Sequence, residues 1–570
     1  MKTKFAKSAY LNFLLWGVCS SMGVTVSTIV DAILVGNFIG SNGLAVANIA
    51  TPVFLAYALL GLTIGVGANM LIGRWLGASD VEAANRVFHK QLFAGVAAGL
   101  LCMVLAVLFR DVLCQWLGGK GGLFQLSRQY LTVVFVSAPV FVLYHIFSLS
   151  VRTDGAPRLA ACASAVVIAV NLSLDLLFMK VLNWGIVGAS ASLCIAEALG
   201  LAVLLLHFLN PLALLKLKMA VPGWNELRDF VANGFGVGSA QIFQAAIMLV
   251  FNTLLLDSPD GVFYVAVFSV IYTISTIPQA VFDGAGSALS TVVPIFAGER
   301  DTESILTVLR QGLKLAGLSG ALLALAFFQW TEELISCFGL NGGKMEYAVL
   351  AVRIYAVSVL LTGINSLAVA FWQAAGRARL AGFMSLARNF ILMLILGTAL
   401  IRPYQLLGLG FTYLCTEALC LAGVAGVVIF RSSKAYLQGK YPPSDRVFER
   451  YYTIQTESTA QISDDLQRLC EEWNVGANHA FFINLMVEEL LLNIIKFGLR
   501  ESRKQRYIAV RVMDNNGEYI LRIRDNVNTY NPFDSEGDEI DNAVIRMIQT
   551  KSKYCDYQRK LIFNYLYLIL

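Results

Sequence analysis

Apolar residues in the first 430 positions fall into long runs, separated by short stretches that carry most of the charges. Roughly 20 apolar residues cross a hydrocarbon layer. The runs therefore predict about twelve membrane-spanning helices, near 12–36, 45–72, 89–109, 129–151, 159–181, 187–208, 232–256, 262–296, 312–332, 347–374, 380–400 and 406–430. Several are longer than needed and are expected to tilt or project. From about Val447 the pattern changes to that of a soluble α/β domain. Residues 461–474 read as an amphipathic helix and His479–Leu499 as a second, followed by alternating strands at Tyr507–Met513 and Tyr519–Arg524.

The apolar part repeats itself. At an offset of 221, Gly65 meets Gly286, Gly77 meets Gly298, Asp80 meets Asp301 and Gly155 meets Gly376. Near the end of the match the offset is 220, where Glu197-Ala198-Leu199 meets Glu417-Ala418-Leu419. A fixed period this long in an apolar chain marks a duplicated membrane bundle, here six spans plus six in the same orientation. The expected organisation is a first lobe over 1–215, a second over 216–435, a linker at 436–446 and a terminal domain over 447–570.

Composition sharpens the division. The chain is 57% hydrophobic and 14% charged. Of its 81 charged residues, 35 lie from Tyr441 onward. The net charge of +5 sits mostly in short loops, which reads as an orientation signal and not as nucleic-acid binding. Lys2, Lys4 and Lys7 and the even-numbered loops are basic, so both termini are expected to face the cytoplasm. The ten cysteines fall mostly in spans or in the terminal domain, where reduced thiols are the default.

Four stretches now carry a family resemblance: Asp31-Ala-Ile-Leu-Val-Gly36, Gly77-Ala78-Ser79-Asp80, Arg152-Thr-Asp-Gly155 and Asn171-Leu-Ser-Leu-Asp175. With the two parallel six-helix lobes, residues 8–430 resemble the MATE (multidrug and toxic compound extrusion) transporters. The resemblance implies a plasma-membrane antiporter, not an enzyme, that extrudes small organic and often cationic compounds in exchange for H+ or Na+.

Residue chemistry points the same way. An ionisable group in mid-membrane costs at least about 2.5–3.5 kcal/mol, so each one calls for a reason. Asp31 lies well inside span one, Asn171 and Asp175 share one face of span five, and Glu197 lies within span six. These four are the candidate cation-binding and proton-coupling residues. Glu197 has a twin in Glu417, so it also reads as a packing element kept in both lobes. Under the repeat Asp31 falls on Asn252, while Asn171 and Asp175 fall on apolar positions, which favours a cation site in the first lobe. Gln241, Asn252, Gln279, Asp283, Asn365, Gln373 and the unusual Arg388 are candidates to line a substrate cavity, although amides also join transmembrane helices. Arg388, about a turn and a half into span eleven, has the length to snorkel toward the cytoplasm.

The terminal domain is similar to the GHKL, or histidine-kinase-like ATPase, fold, especially its anti-sigma-factor-kinase branch. Glu488-Glu489-Leu-Leu-Leu-Asn493 and Arg524-Asp525-Asn526 carry the likeness, with Pro532-Phe533-Asp534 beyond. It implies a nucleotide site of Glu489, Asn493 and Asp525, with Asn493 holding Mg2+ if ATP binds. Val527 stands where that family has a glycine, and Asp541-Asn-Ala-Val-Ile-Arg546 replaces its glycine-rich phosphate lid. Both departures argue against tight, catalytic ATP binding. The domain then reads as a degenerate module that regulates the bundle or docks a cytosolic regulatory protein.

Two other readings compete. A membrane-bound signalling protein with the bundle as sensor would need a phosphoacceptor histidine between span twelve and the domain, and none of His89, His145, His207 or His479 lies there. A lipid-linked sugar flippase of the same superfamily would be expected to show more cationic residues in its cavity.

Overall fold

The computed structural model describes residues 2–39, 41–117, 123–257, 260–337, 345–422, 446–454, 458–498, 506–515, 518–529, 531–534, 539–561 and 563–570. They form two compact units. One comprises Tyr10–Asp301 with Ile305–Tyr436, and the other Leu437–Leu570 with Met1–Ala9 and Thr302–Ser304. The expected linker 436–446, apart from Arg446, lies outside the described residues.

The first unit is helical. Its first half runs through α1 (Lys2–Ile39, which begins in the other unit), α2 (Ser41–Gly77), α3 (Val81–Leu108), the short α4 (Arg110–Trp116), α5 (Phe124–Val136), α6 (Ala138–Thr153), α7 (Pro157–Asp175) and α8 (Gly185–Leu205). The second half runs through α9 (Trp224–Gly238), α10 (Ala240–Leu256), α11 (Gly261–Gly298), α12 (Thr302–Gln329), the short α13 (Thr331–Cys337), α14 (Met345–Ala374), α15 (Ala378–Leu386) and α16 (Leu392–Cys420). Among the described residues, ten helices are long and apolar enough to cross a membrane, or eleven if the bent pair α5–α6 is one span. The chain is a multi-pass membrane protein.

Two breaks account for the difference from the expected twelve. Expected span four is bent by 48° between α5 and α6, at Ser137, where Pro139 opens the second helix without a backbone donor. Expected spans eleven and twelve run on as one helical stretch, Ala378–Cys420, kinked at Gln405, whose φ of 50° and ψ of −123° are not helical. Pro403 just before the kink removes one rung of the ladder.

The repeat is written into the backbone. Gly155 and Gly376 both adopt positive φ, 88° and 85°, in the turns before α7 and α15. Ser79 and Arg300 form a second equivalent pair, at 64° and 56°, in the turns after α2 and α11. Asp80 then caps α3, accepting from the Ala83 N–H at 2.8 Å. The halves meet through α2, which packs on α9 and α11. At this seam a Cβ on Gly77 would come 2.9 Å from the Gly298 Cα, so the two backbones touch only because both side chains are missing.

The terminal unit is built on a five-stranded antiparallel sheet of β1 (Val447–Thr453), β2 (Tyr507–Asn515), β3 (Glu518–Asp525), β4 (Tyr554–Lys560) and β5 (Phe563–Ile569), in the order β1-β2-β3-β5-β4. Helices α17 (Ser458–Glu472), α18 (Ala477–Gly498) and α19 (Glu539–Lys551) complete it. Alternation along the strands puts Val510, Leu521, Ile523 and Leu566 in one core with Leu466 and Met486 of the helices. The opposite face carries Arg511, Arg522 and Arg524, all buried. The Arg524 guanidinium lies 5.8 Å from the ring centres of both Tyr451 and Tyr565, which shelters its charge.

Candidate functional site

Span five delivers its polar pair to one place. Asn171 and Asp175 lie one helical turn apart on α7, 2% and 0% exposed. The Asn171 Nδ2 donates to Asp175 Oδ2 at 3.2 Å. Directly after Asp175 the helix widens into a π turn, Leu176–Val181, of the kind frequent at functional sites. From α8 the Ser192 hydroxyl donates to Asp175 Oδ1. Asp31, half-buried on α1, lies within electrostatic reach of both Asp175 and Asn171. Three helices therefore bring two carboxylates, an amide and a hydroxyl together.

Two carboxylates this close repel unless a proton or a metal cation lies between them. The Asn171 Oδ1 is buried without a hydrogen-bond partner, an acceptor still to be satisfied. The donor set is all oxygen, which suits a proton or a hard cation. Two residues missed in the sequence belong here. Ser192 is one, and Tyr130 of α5, 4% exposed, lies within electrostatic reach of Asp31 and Asp175. A lone serine or tyrosine in an apolar run carries no periodic signal, so neither stands out before the helices are assembled.

Glu197 lies further along α8 than Ser192. Its Oε2 is buried without a partner, and its electrostatic neighbours include Tyr144 and Cys194.

The candidate cavity residues of the second half do not form one cluster. Asn365 donates to the Glu417 carbonyl O at 2.9 Å and to its Oε2 at 2.7 Å. Gln279 accepts from Gln244, which sequence reading missed, at 3.3 Å. Gln373 donates to the Asn233 carbonyl at 2.7 Å and borders a small cavity with Asn69, Thr153 and Thr291. Asn252 keeps a buried Oδ1 without a partner. Asp283 of α11 is within electrostatic reach of Arg388. The Gln241 side chain lies outside the described residues.

Arg388 had two readings, a cavity residue or a snorkelling one. It does not snorkel outward but grips Glu417 of α16, its Nη2 lying 2.8 Å from Oε1 and its Nε 2.9 Å from the same atom. Glu417 thus has a packing partner that Glu197 lacks.

In the terminal domain Glu489 and Asn493 share one face of α18, and the Asn493 Nδ2 donates back to the Glu489 carbonyl at 2.9 Å. Asp525, 1% exposed at the end of β3, accepts through Oδ1 from the Val527 N–H at 3.0 Å and from Asn564 Nδ2 at 2.8 Å. Burial pushes its carboxyl up to about 6, against the opposing effect of these two bonds. Val527 is 4% exposed, its side chain packed in the domain core where the resemblance expects a glycine.

A duplicated helical membrane bundle with buried acids converging in one lobe defines the class as a polytopic transporter-like protein. The chain matches the model of the MatE family over residues 18–177 and 237–398, and it belongs to that family. It is 25% identical over 416 residues to the multidrug export protein MepA of Staphylococcus aureus (strain MRSA252), covering 71% of this chain and 91% of that protein. MepA of Staphylococcus saprophyticus is 22% identical over 400 residues, covering 69% and 87%. Among solved structures, a MATE in complex with MaL6 superposes with a TM-score of 0.71 at 19% identity, covering 77% of this chain and 98% of that one. An outward-facing multidrug resistance MATE family transporter of the MOP superfamily gives the same score and identity, covering 77% and 97%.

Proposed function

We propose that the protein is a secondary active transporter that exports small organic compounds, cationic or multidrug-like, from the cytoplasm in exchange for H+ or Na+. The coupling ion binds at Asp31, Asn171 and Asp175, with Ser192 as a fourth oxygen. The observation that carries this reading is the convergence of Asp31 with Asp175 beside the unpartnered Asn171 Oδ1. Membership of the MatE family and likeness to MepA, a multidrug export protein, support the direction of transport. Twelve spans follow if the stretch Ala378–Cys420, 43 residues and about 65 Å at 1.5 Å per residue, crosses twice at the Gln405 kink. Both termini then lie on one side, which the basic Lys2, Lys4 and Lys7 make the cytoplasmic side of the plasma membrane.

The terminal domain is a regulatory module of histidine-kinase-like ancestry without ATP turnover, a reading supported by the buried Val527. Purified protein in proteoliposomes, given an imposed H+ or Na+ gradient with and without ATP, tests both parts. Gradient-driven efflux of a fluorescent organic cation, unchanged by ATP, is expected. Efflux that requires ATP and ignores both gradients would overturn the reading. Deletion of residues 440–570 leaves basal efflux measurable.

A further inference from the structure

The coupling site leaves one buried charge pair without a role. Glu197 and Glu417 are repeat partners, yet their surroundings are opposite. At the offset of 221 the position equivalent to Arg388 is Val167, and Glu197 Oε2 has no partner. Glu417 instead meets a guanidinium at full grip. Arg388 Nε and Nη2 both donate to its carboxylate, while Nη1 donates to Ser366 at 2.9 Å. Asn365 donates to the same carboxylate and keeps its own Oδ1 buried and unpartnered.

A proton or metal-cation site needs no permanent counter-cation. A guanidinium fork, by contrast, matches a carboxylate in shape and charge. Arg388 sits on a π turn, Ala387–Ile391, which turns its side chain out of the ordinary helical register. Of the pair it is the more accessible member, 13% exposed against 6% for Glu417. The pair is neutral as it stands, and protonation of Glu417 would leave the buried guanidinium with Asp283, which makes no direct ion pair with it, as its remaining carboxylate neighbour, an unfavourable state. A ligand carboxylate is the group that relieves it.

We propose that Arg388 is a binding site for the carboxylate of a carboxylate-bearing organic substrate, which replaces Glu417 on the guanidinium as Glu417 takes up one proton from solution. Asp283, within reach of Arg388, favours substrates that also carry a cationic group. The other titratable groups facing the pair are Tyr355 on α14 and Cys420 on α16. The identity of the ligand as cargo rests on the export reading; the binding chemistry does not.

The test is equilibrium binding to the full chain in detergent, using a rhodamine free acid and its methyl ester, which differ only in the carboxylate. The wild type is expected to bind the free acid about tenfold more tightly, as a charge-assisted bidentate pair implies. Binding of the acid takes up one proton in weakly buffered solution near neutral pH, and binding of the ester takes up none. Glu417→Gln keeps the preference and loses the proton uptake. The charge-balanced double variant Arg388→Gln/Glu417→Gln loses the preference while still binding the ester, and it answers the question if the single variant does not fold. Equal affinities in the wild type, or a preference that survives in the double variant, would overturn the proposal. Absence of gradient-driven efflux with the binding preference intact would instead sink the export reading alone.

Discussion

Gly77 and Gly298, 221 residues apart in the chain, lie back to back where α2 meets α11. A Cβ on Gly298 would come 2.8 Å from the Gly77 Cα, and a Cβ on Gly77 2.9 Å from the Gly298 Cα. Equivalent residues of the two repeats thus touch each other, which places the pseudo-twofold axis beside them. Overpacking a close helix contact costs about 1–3 kcal/mol. Gly77→Val and Gly298→Val should each lower the melting temperature of the purified protein, whereas Gly317→Ala, with nothing within 4 Å of its added methyl, should hold or raise it. Equal behaviour of all three would mean the seam is not close-packed.

Gradient-driven efflux should be abolished by Asp31→Asn or Asp175→Asn, because either change removes the charge on which cation exchange depends. Ser192→Ala removes a hydrogen bond to a carboxylate, an interaction worth about 1.5–3 kcal/mol, and should weaken coupling by about tenfold or more without abolishing it. Initial rates in proteoliposomes under one fixed gradient separate the two classes. Wild-type rates in both aspartate variants would remove the first lobe from the coupling mechanism.

The duplication was legible before any helix was assembled, because glycines needed for positive φ and close approach, such as Gly155 and Gly376, cannot be exchanged without strain. Asp31, Asn171 and Asp175 were legible as a site because acids and amides in apolar spans are costly. Ser192 and Tyr130 were not, since hydroxyls occur in such spans without any cost that marks them. Arg388 was legible as a polar residue inside a span, with its nearness to the span end leaving snorkelling open, but its partner was not. Its true partner, Glu417, is a helix away in space and 29 residues along the chain. In the terminal domain β2 and β3 alternate cleanly, but β4, Tyr-Cys-Asp-Tyr-Gln-Arg-Lys, is an edge strand mixed with charge, and its pattern alone does not announce it.

Arg152 ties the two halves together from α6. Its Nη1 donates to Ser287 of α11 at 2.6 Å and its Nη2 to Ser20 of α1 at 3.1 Å. A transporter whose halves move must break such a link in part of its cycle. Arg152→Met removes it from this arrangement alone and should shift the population by about tenfold toward the conformer in which α6 and α11 separate. Spin labels on these two helices, read as a distance distribution, check the shift. An unchanged distribution would make the link a static fastening.

Asp525 makes the terminal domain sensitive to acid in an unusual direction. Its carboxyl ionises near 6 in the fold, against an ordinary 3.8, because burial disfavours the charge. The folded domain therefore binds a proton more tightly than the unfolded chain, and stability from this group rises as pH falls from above 6 toward 4. The full gain, for a shift of this size, is about 3 kcal/mol, reached below the unfolded value and absent well above 6. Asp525→Asn, which mimics the protonated form, should protect β3 from hydrogen exchange at pH 8 and flatten the pH dependence. The measurement is exchange of peptide 518–525 in the full chain across pH 5 to 8, corrected for the intrinsic rate. Protection in the wild type that grows with pH would show that the ionised carboxylate, held by Val527 and Asn564, is the form the fold prefers.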